Sequence, residues 1–305
     1  MMRTSDDHLE EALAEYNDKV NALEINGTPE ELLEAYVNRS TILMLMDSYI
    51  SSLSDLDEAV ELMGEMSADG KRIDLGTYVK VYENRGQLLC EDNNDQMVDD
   101  YARISSRLNE MTAGIRHYDM KGIVLMCLGC AEDLIDEGFP ENSRPFTDKA
   151  ISVLSNKNDE WAANRLLELY NLIGQSNNMM ELTDEAVDAF TKAIYYGEQL
   201  YDRGSIDDSM EIVFSYVARG DIMGEREDNE SQIRDHEAAI EVLEVLNGQR
   251  KLDDIELLIN LHQGVATAQM KMGMIEEAEK HLLMSINHGM PDVKRTIDDL
   301  GLRDR

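Results

Sequence analysis

One short spacing of residues recurs along most of this chain and constrains its fold more than any other feature. In the segment 36–62, residues Tyr36, Ser40 and Leu43 are three or four positions apart, which places them on one face of a helix. A second stripe with helical spacing follows and consists of Ser52, Leu56, Ala59 and Met63. Two amphipathic helices that face each other, a helical hairpin, are the structure that these two stripes predict.

The same spacing returns in later segments, usually as an aromatic, a basic, a small and an apolar residue. The clearest copies are Tyr82, Arg85, Gly86, Leu89; Tyr118, Lys121, Gly122, Leu125; and Tyr216, Arg219, Gly220, Met223. Weaker copies are Ala162, Arg165, Leu166, Leu169 and Asn260, Gln263, Gly264, Thr267. Second-helix segments repeat as LDEAV at 56–60, TDKAI at 147–151, FTKAI at 190–194 and HEAAI at 236–240. A period of roughly 45 residues indicates an array of about six hairpins.

This pattern resembles the tetratricopeptide repeat, in which an aromatic residue, Leu-Gly and Tyr are followed by Ala and Phe in the second helix. The matching positions of the first copy are Tyr36, Arg39 and Ser40, Leu43, Ser52 and Leu56. Arg39 departs from the usual Leu, Asp47 occupies a turn position usually held by Gly, and the terminal Pro is absent. The resemblance covers about residues 30–290 and implies an all-α fold, a right-handed α-solenoid of antiparallel helix pairs.

The ends of the array are expected to differ from its middle. Residues 1–28 are predicted to form an N-terminal capping helix, 29–290 the repeat domain, and 291–305 a C-terminal capping helix and tail. Thr28 followed by Pro29 and Glu31 predicts a helix start with a capping box. The clearest non-helical segment is expected at 137–144, next to two of the prolines.

The charge balance limits the partners of the chain. The sequence has 63 acidic and 28 basic residues, a formal net charge of -35. Such a chain repels nucleic-acid phosphates and anionic membrane surfaces, so we expect neither as a partner and expect basic or amphipathic proteins or peptides instead. The alternative is that the charge serves solubility or adaptation to a salty cytoplasm.

Cysteine usage and hydropathy favour a cytoplasmic location. Cys90, Cys127 and Cys130 fall in predicted helices, and a single pair with the 127–130 spacing lacks the second pair that a zinc site needs. The N-terminus is acidic and not like a signal peptide, and the longest uncharged run, 122–131, is too short to cross a bilayer. We therefore expect packing thiols in a reducing cytosol.

The sequence contains no complete motif for phosphate binding, metal binding or nucleophilic catalysis. The segment 64–72 has one residue too many for a phosphate loop, and 92–100 lacks the Gly and Glu of a calcium loop. His281 and His288 are two helical turns apart, which is too far for one metal, and the other histidines are isolated from one another in the sequence, namely His8, His117, His236 and His262. We expect solvated or packed histidines. No nucleophile signature occurs. We expect no enzyme activity, no cofactor and no metal.

The resemblance therefore predicts a protein-interaction scaffold or adaptor that binds a peptide or protein segment in a concave groove. The alternative is an acidic chaperone, or a peptide-sensing regulator, for basic or amphipathic clients. We do not expect a DNA-binding sensor, because the 28 residues before the first hairpin are too few for a helix-turn-helix domain.

The groove is expected on the first-helix face that points away from the second helices. The candidates are Val37, Thr41, Met44, Glu83, Gln87, Cys90, Ile123, Met126, Leu167, Tyr170 and Asp221. Family members that bind acidic C-termini use Lys, Arg and Asn on this face, and this chain has none of them at these positions. The face is apolar and acidic with adaptable Met side chains, which predicts a ligand with apolar anchors flanked by Lys or Arg.

The arginines of the repeated spacing suggest a structural role. Each is followed in the next helix by an acid, and the predicted pairs are Arg39 with Asp55, Arg85 with Asp100, Arg219 with Asp235, and Arg165 with Asp188. We expect these pairs to form inside the hairpins with the arginine stems packed in the seams. The alternative is that the arginines point to solvent.

Overall fold

The computed structural model describes residues 5–89, 94–112, 120–252 and 255–289. Within these ranges the regular structure consists of thirteen α-helices and includes no strand. The helices are α1 Ser5–Asn26, α2 Pro29–Leu45, α3 Tyr49–Ala68, α4 Leu75–Leu89, α5 Asn94–Thr112, α6 Met120–Asp136, α7 Pro140–Leu154, α8 Glu160–Met179, α9 Thr183–Arg203, α10 Ser209–Glu225, α11 Asn229–Gly248, α12 Glu256–Lys271 and α13 Ile275–Gly289. The predicted all-α fold is confirmed.

The helices divide into two compact units, Met1–Phe146 and Thr147–Arg305. In the first unit α2 packs on α3 and α4 on α5, while α1 packs on α2. In the second unit the pairs are α8 with α9, α10 with α11, and α12 with α13. Each unit is thus a series of helix pairs, as the repeated spacing predicts. The division into two caps and one repeat domain stays a prediction, and the C-terminal cap at 291–305 lies outside the described residues.

The start of α2 has the predicted capping chemistry. The Thr28 hydroxyl oxygen accepts a hydrogen bond from the Glu31 backbone N–H at 3.3 Å, and the Glu31 carboxylate accepts one from the Thr28 N–H at 3.0 Å. Pro29 holds the first helical position, where the missing N–H costs nothing. Two backbone donors that a helix start leaves unpaired are satisfied in this way.

Four turns between helices, three within hairpins and one between α11 and α12, use a left-handed residue that is not glycine. Asp47, Glu181, Glu227 and Arg250 have φ angles of 55°, 59°, 62° and 56°. The residue after each turn donates its N–H back to the helix, as Ser48 does to the Leu43 carbonyl at 2.8 Å and Asp228 to the Met223 carbonyl at 2.9 Å. Asp47 therefore takes the conformation that the family gives to Gly, and backbone hydrogen bonds hold it there.

The expected non-helical segment at 137–144 is only partly so. Helix α7 already begins at Pro140 and continues through Pro145. Pro140 stands at the helix start, where proline is tolerated, and the Ser143 hydroxyl donates to the Pro140 carbonyl at 2.7 Å. The prediction of a longer loop was wrong because proline near a helix start favours the helix and does not break it.

Small residues in the first helices make room for rings of the second helices. A methyl group on Gly86 would lie 2.6 Å from the Tyr101 ring, and one on Gly220 would lie 2.4 Å from the His236 ring. The equivalent contact of α8 and α9 joins Gly174 to Phe190 at 2.5 Å. In this pair the repeated spacing therefore begins at Tyr170, and the register predicted from Ala162 was wrong by two helical turns.

The two cysteines that the structure describes are buried free thiols. Cys127 and Cys130 are free and buried in α6, and Cys90 lies outside the described residues. Burial raises the pKa of the Cys130 thiol, followed by the nearby Glu83 charge, so this group packs as a neutral side chain. No helix among the described residues is long and apolar enough to span a membrane.

Candidate functional site

The hairpin seams contain the predicted arginine–aspartate pairs. Arg39 donates from Nε and Nη2 to the two Asp55 oxygens at 2.8 and 2.6 Å, and Arg219 does the same to Asp235 at 2.7 Å for both bonds. Arg85 donates from Nη1 to Asp100 at 2.5 Å. The arginine side chains are 15% to 18% exposed and the three aspartates 4% to 6%. The solvent-exposed alternative is therefore excluded for these three pairs.

Packing explains the geometry of the seams. The Arg39 guanidinium lies 5.8 Å from the Tyr36 ring centre, so the planar cation is held against an aromatic face. The fourth expected pair differs, because Arg165 contacts Glu168 at 2.6 Å and Asp207 at 2.8 Å. Pairing with Asp188 was predicted from the wrong register. The seams join the two helices of each hairpin.

The predicted groove residues of the first unit differ in exposure. Val37 and Ile123 are 5% exposed and belong to the core. Thr41 is half-buried and donates to the Val37 carbonyl at 2.9 Å, while Met44 and Met126 are also half-buried. Glu83 is half-buried and Gln87 exposed. Gln87 is therefore the most accessible of these candidates, while Thr41, Met44, Glu83 and Met126 are all partly accessible.

Glu83 and Gln87 of α4 are brought together with acids of α6. Gln87 Nε2 donates to Asp133 Oδ2 at 3.2 Å, and a methyl group on Gly129 would lie 3.6 Å from Glu83 Oε1. A cleft of about 210 Å³ opens beside them, which we call the acidic cleft. Its lining residues are Gln87, Met97, Tyr101, Asp133, Asp136 and Glu137.

The acidic cleft combines negative charge with an apolar base. Met97 and Tyr101 are each 1% exposed, and the Tyr101 hydroxyl donates to Asp133 Oδ2 at 2.6 Å. Burial, followed by the Asp133 charge, raises the pKa of Glu83. Burial and then Asp133 also raise the pKa of Tyr101, which keeps its hydroxyl a hydrogen-bond donor. A positive group placed here would relieve the repulsion between the carboxylates.

The predicted groove residues of the second unit are less uniform. Leu167 is 1% exposed and belongs to the core. Tyr170 stacks on Tyr196 with ring centres 6.0 Å apart and lines a cleft of about 490 Å³ together with the exposed Tyr195. Asp221 is exposed, and its Oδ1 lies 3.1 Å from His236 Nε2. The binding role of all the predicted groove residues stays a prediction.

A histidine cluster was missed by the sequence analysis. His262 Nδ1 lies 2.9 Å from His281 Nδ1, and the rings of His262 and His288 are nearly parallel at 9° with centres 5.7 Å apart. His288 Nε2 lies 2.9 Å from Glu244 Oε1. His262 is distant from these histidines in the sequence and is brought next to them because α12 packs between α11 and α13. The available signal was the seven-residue spacing of His281 and His288, which puts both on one face of α13.

The fold is that of tetratricopeptide-type helical repeats, as comparison with solved structures shows. The apo form of RapI matches with a TM-score of 0.58 and 16% identity, over 92% of this chain and 76% of that one. The C-terminal part of a TPR repeat-containing protein from Cytophaga hutchinsonii matches with a TM-score of 0.55 and 14% identity, over 94% of this chain and 97% of that one. BtubC from P. vanneervenii matches with 0.51 and 12% identity, over 94% and 91%.

Sequence comparisons add nothing to this likeness. No family model matches the chain, and no curated protein matches it. At such identities the structural matches show a shared fold and leave the ligand to be argued from the chain's own residues.

Proposed function

We propose that the chain is a non-enzymatic protein-interaction scaffold that binds a basic or amphipathic segment of a partner. The observation that carries this proposal is the acidic cleft, where Asp133, Asp136 and Glu137 surround the buried Met97 and Tyr101. A Lys or Arg side chain has the matching chemistry, because its apolar stem packs on the base while its charge meets the carboxylates.

Charge and side-chain type support binding over catalysis. The lining residues of the acidic cleft include no Ser, Cys, Lys or His that could act as a nucleophile or as a base near neutral pH. The net charge of -35 adds a long-range attraction for basic partners. We also propose the cytoplasm as the location, which the free thiols of Cys127 and Cys130 support.

The apolar part of the ligand would contact the half-buried methionines of the same unit. Met44 on α2 and Met126 on α6 offer flexible, polarisable side chains that adapt to different apolar anchors. We propose that Thr41, Met44, Glu83, Gln87 and Met126 contact the ligand directly. Val37 and Ile123 would support them from the core.

Titration with two peptides tests this function. A synthetic amphipathic peptide of Leu and Lys should bind, with affinity that weakens as salt rises, and an acidic peptide should not. The double change Asp136→Asn and Glu137→Gln should weaken binding about tenfold, a loss of about 1.4 kcal/mol. Fluorescence anisotropy of the labelled peptides measures both effects.

A matched control separates the cleft from the overall charge. The double change Glu61→Gln and Glu65→Gln on the exposed face of α3 alters the net charge equally and should leave the affinity within about twofold. Met44→Glu and Met126→Glu should each weaken binding as well. Equal losses in both double variants, or preference for the acidic peptide, would contradict the proposed site.

A further inference from the structure

Three side chains of the last three described helices direct ligand atoms towards one point. Glu244 lies on α11, His262 on α12 and His288 on α13, and one ligand atom of each lies within 4.8 Å of those of the other two. Glu244 Oε1 lies 2.9 Å from His288 Nε2 and 3.7 Å from His262 Nε2. The set has two imidazoles and one carboxylate.

These separations suit a tetrahedral metal ion. With bonds of about 2.0 to 2.1 Å and tetrahedral angles, neighbouring ligand atoms are about 3.4 Å apart. The two distances to Glu244 lie on either side of that value, so a small movement of the carboxylate would equalise them. A hydrogen bond alone explains only the shorter contact, because 3.7 Å is too long for one.

His262 supplies a second, independent observation. Its side chain is buried at 1% exposure, and its Nε2 atom has no hydrogen-bond partner. A buried polar nitrogen without a partner is unfavourable, typically by about 1–3 kcal/mol. The atom faces Glu244, so a cation between them would give both groups a partner.

The proton positions around His262 agree with metal ligation. If Nε2 is the ligand atom, Nδ1 carries the proton and donates to His281 Nδ1 at 2.9 Å. His281 must then carry its own proton on Nε2, which lies 3.5 Å from Glu237 Oε1. A carboxylate behind the ligating histidine, here reached through a second histidine, is the usual way of fixing its tautomer.

We propose that Glu244, His262 and His288 bind one divalent transition-metal ion, with Zn²⁺ the best match. Two imidazole nitrogens and one carboxylate oxygen are typical zinc ligands, and the fourth position is left for water. His281 and Glu237 are positioning residues. Because the three ligands come from three consecutive helices, the ion would join α11, α12 and α13 and stabilise the end of the second unit.

Zinc titration of the purified full chain tests the proposal. Calorimetry in excess Mg²⁺, which occupies the exposed carboxylates, should give one Zn²⁺ per chain. Glu244→Gln and His288→Gln should each weaken binding at least about tenfold, and His281→Phe by about tenfold. His8→Gln, and Glu241→Gln one turn before Glu244 on α11, are controls that should stay within about twofold, since both residues are exposed.

Thermal unfolding gives an independent readout. Zn²⁺ should raise the Tm of the wild type and of both controls, and should not raise that of Glu244→Gln or His288→Gln. Circular dichroism without metal shows whether those variants are folded. No stoichiometric binding in excess Mg²⁺, or unchanged affinity in folded Glu244→Gln and His288→Gln, would overturn the proposal.

Discussion

The hairpins α4–α5 and α10–α11 have the same residue types where their two helices meet, and they differ in the further contacts that these residues make. Both place Tyr, Arg and Gly in the first helix, and both place Asp followed by a ring in the second. Arg219 holds Asp235 with two parallel hydrogen bonds, whereas Arg85 is shared between Asp100 and Asp57. Arg219 also donates from Nη1 to the Thr191 hydroxyl of α9 at 3.0 Å, so both arginines contact the preceding helix, but only Arg85 contacts a second carboxylate there.

The ring after the aspartate shows the other difference. Tyr101 reaches from α5 to Asp133 of α6 and forms the base of the acidic cleft. His236 occupies the same position in α11 and contacts Asp221 of its own hairpin. The arginine–aspartate pair therefore holds the two helices together, while the residue after the aspartate determines whether the hairpin forms a surface cleft.

The largest expected effect comes from removing Asp235, the one carboxylate that Arg219 contacts among the described residues. Asp235→Ala should lower the free energy of unfolding by about 3 kcal/mol, because a largely buried guanidinium loses its carboxylate. Asp100→Ala should cost less, about 1–2 kcal/mol, because Asp57 still contacts Arg85 at 2.7 Å. Urea denaturation measures both values.

A double variant decides whether Asp57 accounts for the difference. Asp100→Ala combined with Asp57→Ala should cost as much as Asp235→Ala, more than the sum of the two single losses. Equal costs for Asp100→Ala and Asp235→Ala would show that the two seams are equivalent.

The next effect concerns the close approach of the two helices in each hairpin. Gly86→Ala and Gly220→Ala should each lower the free energy of unfolding by about 1–3 kcal/mol, since the added methyl meets a packed ring. Gly64→Ala is the matched control, because it lies inside α3 with nothing within 4 Å of the new methyl. It should raise the stability by about 0.5–1 kcal/mol. Loss of stability in the control as well would show that the effect does not come from the close approach to the rings.

The smallest effect is a pH dependence of the stability that α4–α5 should have and α10–α11 should not. The raised pKa of Glu83 means that the folded state holds this proton more tightly than the unfolded state does. Its stabilising contribution is complete below the ordinary value of 4.5 and is lost as the pH rises through the higher folded pKa. Val217 occupies the equivalent position in α10 and does not titrate.

Glu83→Gln should therefore remove part of the decline in stability between pH 4.5 and 7. Glu31→Gln provides a comparison of opposite sign, because hydrogen bonds from the Thr28 backbone and side chain lower the pKa of Glu31. An unchanged pH profile of stability in Glu83→Gln would mean that the surroundings do not raise the pKa of this carboxylate.

The sequence predicted those parts of the structure that depend on local periodicity. The capping box at Thr28 and three of the four arginine–aspartate pairs were predicted correctly, because the box lies within four residues and each pair joins the two helices of a single hairpin. The register of α8 was not, because Ala162 and Tyr170 are two turns apart on the same helix and only the contact of Gly174 with Phe190 distinguishes them.

The sites between hairpins could not be predicted in the same way. The acidic cleft needs Gln87 and Asp133, which are 46 residues apart, and the histidine cluster needs residues of three helices. Such contacts depend on how one hairpin packs on the next, which the spacing within a hairpin does not encode.

The short reach of the seam pairs has a consequence for how the chain folds. Arg39 and Asp55 are separated by 16 residues, as are Arg219 and Asp235. Closing so short a loop costs little chain entropy, and contacts of this kind form fast. The two helices of each hairpin can therefore pair as soon as the second has been synthesised, before the next hairpin exists. The nascent chain then exposes one unpaired apolar face at a time, which limits aggregation during translation.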